Sequence, residues 1–308
     1  MNNFKRIANH PAIKIGYFVV LVAAAAYYLY RWQDRLPELV QQVQPGWLLA
    51  ALGVTLVAAL VYSLIQYTIY RTLGAAVSYT TTFRIIAISQ LGKYLPGKVM
   101  FVGNYYLLSR EAGIGNLQVG TSFVISQALW MLTASLCALP VLTLLDPVLR
   151  YAAVLAPVGL LLLIHPRFLA WLLQLGRRLV GQSRGAAVQL PEGLETSFYL
   201  RVAFLYLINW ALAGFGVWFC LRAINPLGSD ILPLAVASVS LGTVVGLLAL
   251  FAPVGLGIRE GLGALILAPA IGADVALLGL MLLRGITVLV DLSLAVAGMA
   301  FRPQRHGF

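Results

Sequence analysis

Arg84, Lys93, Lys98, Arg259, Glu260, Arg284 and Asp291 all fall within long apolar stretches of the sequence. A charge at the centre of a membrane span costs about 2.5–3.5 kcal/mol on the insertion scale, so charges retained there are candidates for function. Their spacing is informative. Lys93 and Lys98 flank the break Leu95-Pro96-Gly97, and Arg259 follows the break Ala252-Pro253-Val254-Gly255-Leu256-Gly257. Proline deletes a helical hydrogen bond and glycine loosens the backbone, so Pro96, Gly97, Pro253, Gly255 and Gly257 are read as hinges where new half-helices begin. A helix N-terminus offers unsatisfied N–H groups and the positive end of the macrodipole. Cations beside two such ends describe a site for an anion, with phosphate the expected group. Glu260 is placed to neutralise Arg259 or its neighbours, or to exchange a proton. Arg284 and Asp291 lie seven residues apart, on one helix face about 10 Å apart along the axis, and are expected to face the bundle together rather than pair. Arg84 stands near the start of its segment, where a long side chain can snorkel to the interface.

Other chemistries find little support. His10, His165 and His306 lie outside the spans, and the sequence contains no HExxH, Ser/His or Asp-rich motif. The expectation is therefore no catalytic residue, no metal site and no cofactor. Cys137 and Cys220 sit in apolar runs and read as small core residues. Asn104, Gln127 and Asn209 are amides of the kind that bridge helices. Tyr105, Tyr106, Trp130, Trp210 and Trp218 read as packing or interface aromatics.

The elements that must position these groups follow from composition. Of 308 residues, 61% are hydrophobic and 10% charged. A soluble domain carries about 25% charged residues, so the chain is expected to be a polytopic membrane protein. The longest stretch lacking a span, about His165–Ser197, is too short for a sizeable soluble domain. A net charge of +11 needs a counter-charge. With no basic soluble domain to take up nucleic acid, the anionic headgroups of the cytoplasmic leaflet supply it. The run after Lys5, Arg6 and Lys14 lacks small-residue cleavage features and reads as a first span.

Apolar runs of spanning length occur at about Ile15–Tyr30, Trp47–Tyr70, Val119–Leu145, Leu149–Leu163, Phe198–Leu221 and Val275–Ala300. Tyr79–Arg110 and Ile231–Gly272 are apolar but broken, and are read as re-entrant hairpins, the alternative being two ordinary spans joined by a turn. A shift that places Pro96 on Pro253 also places Trp47–Tyr70 on Phe198–Leu221 and Val119–Leu145 on Val275–Ala300. One membrane domain thus comprises repeat 1 at about 47–145, a linking span and cytoplasmic loop at 146–197, and repeat 2 at about 198–300. With the N-terminus inside, Lys5, Arg6, Lys14, Arg71, Arg110, Arg167, Arg177, Arg178, Arg184, Arg302 and Arg305 fall on the cytoplasmic side. Only Arg31, Arg35, Arg150 and Arg222 fall outside. This satisfies the positive-inside rule and inverts the second repeat relative to the first. The expected fold is an all-α membrane bundle of inverted repeats with two broken-helix hairpins, an arrangement used by secondary transporters.

Gly92-Lys93-Tyr94-Leu95-Pro96-Gly97-Lys98 and Pro253-Val254-Gly255-Leu256-Gly257-Ile258-Arg259-Glu260-Gly261 resemble the lysylphosphatidylglycerol synthase transmembrane-region, or flippase-like, family. The likeness extends over the span pattern of the whole chain. Val254 departs from that family's usual Pro-Gly-Gly-Leu-Gly-x-Arg-Glu, which implies a stiffer turn. The family includes the membrane half of the multiple peptide resistance factor, so the resemblance implies movement of a lipid between leaflets. The sequence shows no aminoacyltransferase domain, and the chain is not expected to charge a lipid itself.

Three readings follow. The first is a flippase in the cell membrane for an anionic phospholipid, an aminoacylated phospholipid or a polyprenyl-phosphate species. The second is a non-transporting accessory to an enzyme of lipid or glycan biosynthesis. The third is an intramembrane enzyme acting on lipid phosphates. The topology itself is testable: cysteines introduced at His10 and His306 should both label only from the cytoplasmic side. Labelling of position 306 from outside with position 10 protected would overturn the inversion.

Overall fold

A chain crossing a bilayer must satisfy its own backbone hydrogen bonds, and an α-helix does so within one segment. The computed structural model describes residues 43–94, 99–144, 194–248 and 257–301, which form helices and turns with no strand among them. The helices are α1 (Pro45–Thr72), α2 (Tyr79–Leu91), α3 (Val99–Glu111), α4 (Asn116–Cys137), α5 (Thr196–Ile224), α6 (Leu232–Leu248), α7 (Ile258–Ile271) and α8 (Ala273–Ala300). Local chemistry sets several ends. Pro45 opens α1 at a position where its missing N–H costs nothing. Ser78 caps α2 by accepting the Thr81 N–H at 3.2 Å. A 3₁₀ turn, Gly92–Tyr94, closes α2 before the first break.

Among the described residues five helices are long and apolar enough to cross a membrane: Pro45–Thr72, Asn116–Val141, Thr196–Ile224, Ser229–Gly246 and Ala273–Ala300. The protein is an all-α polytopic bundle, as its composition requires. The expected spans at Trp47–Tyr70, Val119–Leu145, Phe198–Leu221 and Val275–Ala300 correspond to α1, α4 with the turn that follows it, α5 and α8. Those at Ile15–Tyr30 and Leu149–Leu163 lie outside the described residues. The two broken segments differ in length. The first break arrives after a 13-residue α2, about 20 Å long and short of the ~30 Å hydrocarbon layer. Ahead of the second, α6 has 17 described residues.

Side-chain contacts fix how the helices run. Trp47, at the start of α1, stacks on Phe219 near the end of α5 at 5.7 Å. Further along, Asn209 Nδ2 donates to the Ala58 carbonyl at 2.6 Å, and Ile65 and Ile69 pack with Phe198 and Val202. The opening helices of the two halves are therefore antiparallel. Helix α2 descends along the C-terminal half of α8, from Phe83 against Phe301 to Lys93 against Asp291. Helix α7 occupies the N-terminal half of α8, from Gly263 beside Leu280 to Glu260 beside Arg284. Both short helices thus end near the midpoint of α8, arriving from opposite ends.

Two regions of the bundle are held together differently. In one, Tyr70, Ser109, Tyr105, Ser122, Gln66, Ser126 and Tyr206 form a continuous buried hydrogen-bonded chain joining α1, α3, α4 and α5. Along it Tyr70–Ser109 and Tyr105–Ser122 are each 2.8 Å. The other relies on aliphatic packing around Val217, Leu221, Val239, Leu267 and Leu280.

Both hairpins require a glycine where their legs meet. A Cβ on Gly92 would lie 2.5 Å from the Phe101 backbone nitrogen, and one on Gly242 would lie 2.8 Å from the Arg259 carbonyl oxygen. Gly53, by contrast, has open space where a Cβ would stand. Gly92→Ala and Gly242→Ala should each cost about 1–3 kcal/mol through forced backbone shifts. Gly53→Ala should be neutral or stabilising by up to ~1 kcal/mol from helix propensity. Thermal midpoints of the purified variants in one detergent check the contrast.

Candidate functional site

The charges singled out by the sequence meet where the two short helices end. Lys93, in the turn after α2, places its Nζ 2.6 Å from Asp291 Oδ2 on α8. Tyr94 donates its hydroxyl to the same carboxylate oxygen. Asp291 is buried, and these two partners supply the compensation that a buried carboxylate needs. Two helix turns back along α8, Arg284 Nη1 lies 3.7 Å from Glu260 Oε1 on α7. The Arg284 guanidinium also stands over the Tyr94 ring at 5.7 Å, and Lys93 approaches the same ring at 5.3 Å. Tyr94 thereby joins the two ion pairs into one cluster. Its role was missed by reasoning that weighed charges alone, although it sits between Lys93 and the first proline.

Glu260 does two jobs. Oε2 accepts the Gly257 N–H at 2.9 Å, capping α7 through its own carboxylate, while Oε1 faces Arg284. Gly257 has φ +80°, a left-handed conformation that glycine adopts without strain. Of the cations open to Glu260, Arg259 or its neighbours, the one it faces is Arg284, because side chains one residue apart leave a helix in different directions. The α7 N-terminus is already partly occupied by a carboxylate, so its dipole is not wholly free for a ligand. Arg284 and Asp291 share a face without pairing, as their seven-residue spacing requires; each takes a partner from a different short helix.

Arg259 stands apart. Among the described residues its guanidinium has neither an ion pair nor a hydrogen bond. It lines a cavity of about 540 Å³ together with Lys93, Arg284 and Asp291. Lys93, Arg259 and Arg284 against Asp291 and Glu260 leave the cluster with one formal positive charge. Arg84 is not part of it; Arg84 packs beside Gly298 near the end of α8, about 13 Å of helix rise from Lys93. Lys98, Pro96, Gly97, Pro253 and Gly255 lie outside the described residues. Asn209 bridges α5 to α1 as expected of an intramembrane amide, whereas Gln127 faces the cavity. Trp210 donates its indole N–H to Thr133 Oγ1 at 3.2 Å and pairs with Trp130 at 5.2 Å.

The Lys93–Asp291 pair should behave as a buried bridge whose halves depend on each other. Asp291→Asn leaves Lys93 without its counter-charge and should cost about 3 kcal/mol, the lower end of the range for a broken buried pair, since the Lys93 side chain keeps 26% exposure. Lys93→Met combined with Asp291→Asn should recover at least half of that loss. Thermal unfolding of both variants tests the coupling, and additive losses would mean that the two groups do not interact.

No curated protein matches the sequence. A family comparison does match, and over most of the chain, including every described residue of the charge cluster. The protein belongs to the family described as the lysylphosphatidylglycerol synthase TM region, whose model covers residues 13–295.

Proposed function

We propose that this membrane protein is a lipid transporter that moves an anionic lipid between leaflets without chemically altering it. A lipid-related role at the membrane fits the family to which it belongs. The observation that carries the finer reading is Arg259, a cation without a described partner at the start of α7, facing a cavity whose described charged cluster has a net positive balance. A phosphate can take the planar, bidentate hydrogen-bonding edge that the guanidinium offers. The tails stay in hydrocarbon while the headgroup binds between the broken helices.

The antiparallel α1 and α5 support an inverted repeat, and so does the approach of α2 and α7 from opposite ends of α8. Lengths of about 20 Å for α2 and α7 support re-entrant segments. An inverted pair of halves offers two related conformations, one open to each leaflet, and rocking between them exchanges access to a central site. Glu260 supplies the differential contact: a bound phosphate competes with it for Arg284 and changes which partner the cation holds. The cell membrane, with both termini cytoplasmic, is the setting this reading assigns.

Leaflet exchange of acyl-labelled anionic lipid in proteoliposomes tests the proposal. Arg259→Ala should lower protein-dependent exchange by at least about tenfold, the loss of a charge-assisted hydrogen bond or two. Arg259→Lys should recover only part of the rate, because a lysine offers no planar fork. Glu260→Gln keeps an acceptor for the Gly257 N–H but removes the charge, and should bind anionic lipid at least as tightly while moving it more slowly. No protein-dependent exchange of any anionic phospholipid or polyprenyl phosphate would favour the accessory role instead.

A further inference from the structure

The same cavity has a second face, and its chemistry restricts the headgroup. Resting on the transport reading above, we infer that the site selects a lipid phosphodiester whose headgroup is uncharged and rich in hydroxyls, such as a polyol or sugar, and disfavours a headgroup bearing an amine. The walls supplied by α1, α4 and α5 carry no charged side chain; they present Thr55, Ser63, Gln127, Trp130, Asn209 and Trp210. Among the described residues Gln127 has no hydrogen-bond partner in the protein, and neither does Gln90 on α2. Asn209 spends its amide N–H on the Ala58 carbonyl, which leaves its carbonyl oxygen as an acceptor at the wall. Polar groups held in an apolar bundle without partners are a cost unless water or a ligand pairs them. Amides pair with hydroxyls as both donors and acceptors.

An ammonium group needs an acidic partner, or an open aromatic box, once it leaves water. Asp291 is the carboxylate among the described lining residues, and it already holds Lys93 and Tyr94. Lys93, Arg259 and Arg284 would repel the amine. Trp130 and Trp210 are paired with each other at 5.2 Å rather than set as a cage. Among the described residues the cluster's formal surplus of one positive charge matches a phosphodiester's single negative charge. Discrimination therefore rests on both attraction and repulsion: amides for hydroxyls on one wall, cations against amines on the other. At about 540 Å³ the cavity is of the size that takes one small headgroup.

Binding and transport are measured separately, so that selectivity and flipping stand or fall independently. The full chain in detergent micelles is titrated with phosphatidylglycerol, phosphatidylinositol, phosphatidylethanolamine and lysyl-phosphatidylglycerol, and bound lipid is read by native mass spectrometry. The hydroxyl-headed lipids should bind on the order of tenfold more tightly than the amine-bearing ones. Gln127→Leu should weaken the hydroxyl-headed lipids several-fold and leave the amine-bearing ones unchanged. The isosteric Gln127→Glu keeps the fold's packing and should shift preference toward lysyl-phosphatidylglycerol. Equal or reversed affinity in the wild type, or no binding of any of the four, overturns the inference. Free glycerol phosphate that competes as well as the lipid would make the ligand a soluble phosphate and also overturn it. Selective binding without leaflet exchange would retire the transport reading and keep the site.

Discussion

An ion in hydrocarbon must find a partner, and that requirement organises the centre of this protein. Asp291 and Arg284 sit on α8 near its midpoint, where each keeps little exposure. The partners come from segments that stop there: Lys93 and Tyr94 from the turn after α2, and Glu260 from the first turn of α7. The breaks in the helices and the charges in the membrane are therefore one feature. Continuous helices would carry those side chains past α8, and α8 without them would hold uncompensated charge.

The surrounding packing is divided according to how much movement each contact resists. A chain of directional hydrogen bonds from Tyr70 to Tyr206 fixes α1, α3, α4 and the start of α5 in one register. Aliphatic contacts around Val239 and Leu280 have no such directionality, and close approach there is set instead by Gly242 and Gly263. The cavity is lined from both regions. One wall is neutral; the other is charged.

Much of this was legible in the sequence. Hydrophobic runs located α1, α4, α5 and α8, because length and apolarity alone decide what can span a bilayer. The rarity of intramembrane charge picked out Lys93, Arg259, Glu260, Arg284 and Asp291, which the structure brings together, and also Arg84, which stands apart; Lys98, Pro96, Gly97, Pro253 and Gly255 lie outside the described residues. The pairing was not legible. Choosing Arg284 over Arg259 as the partner of Glu260 depends on the azimuth of α7 against α8, which is set by the close packing of Gly263 on Leu280 and of Gly242 on the Arg259 backbone. Tyr94 was hidden for a different reason: it is uncharged, and its part appears only when two chain segments almost two hundred residues apart are brought together.

The link between α7 and α8 has a mechanical consequence. A single residue, Gly272, at φ +84° and ψ 148°, serves as the last cap of one helix and the first of the next. So short a link, with Gly263 packed on Leu280 and Glu260 paired with Arg284, holds the start of α7 and α8 together as one body. Among the described residues the polar contacts that cross from this body to the end of α2 are those of Lys93 and Tyr94 with Asp291, together with the Arg284–Tyr94 stack. A relative displacement of α2 from α8 has to open that latch, so its strength weighs on the rate of leaving this arrangement as well as on its population. A headgroup that drew Lys93 away from Asp291 would act on the rate of opening, as a key acts on a bolt.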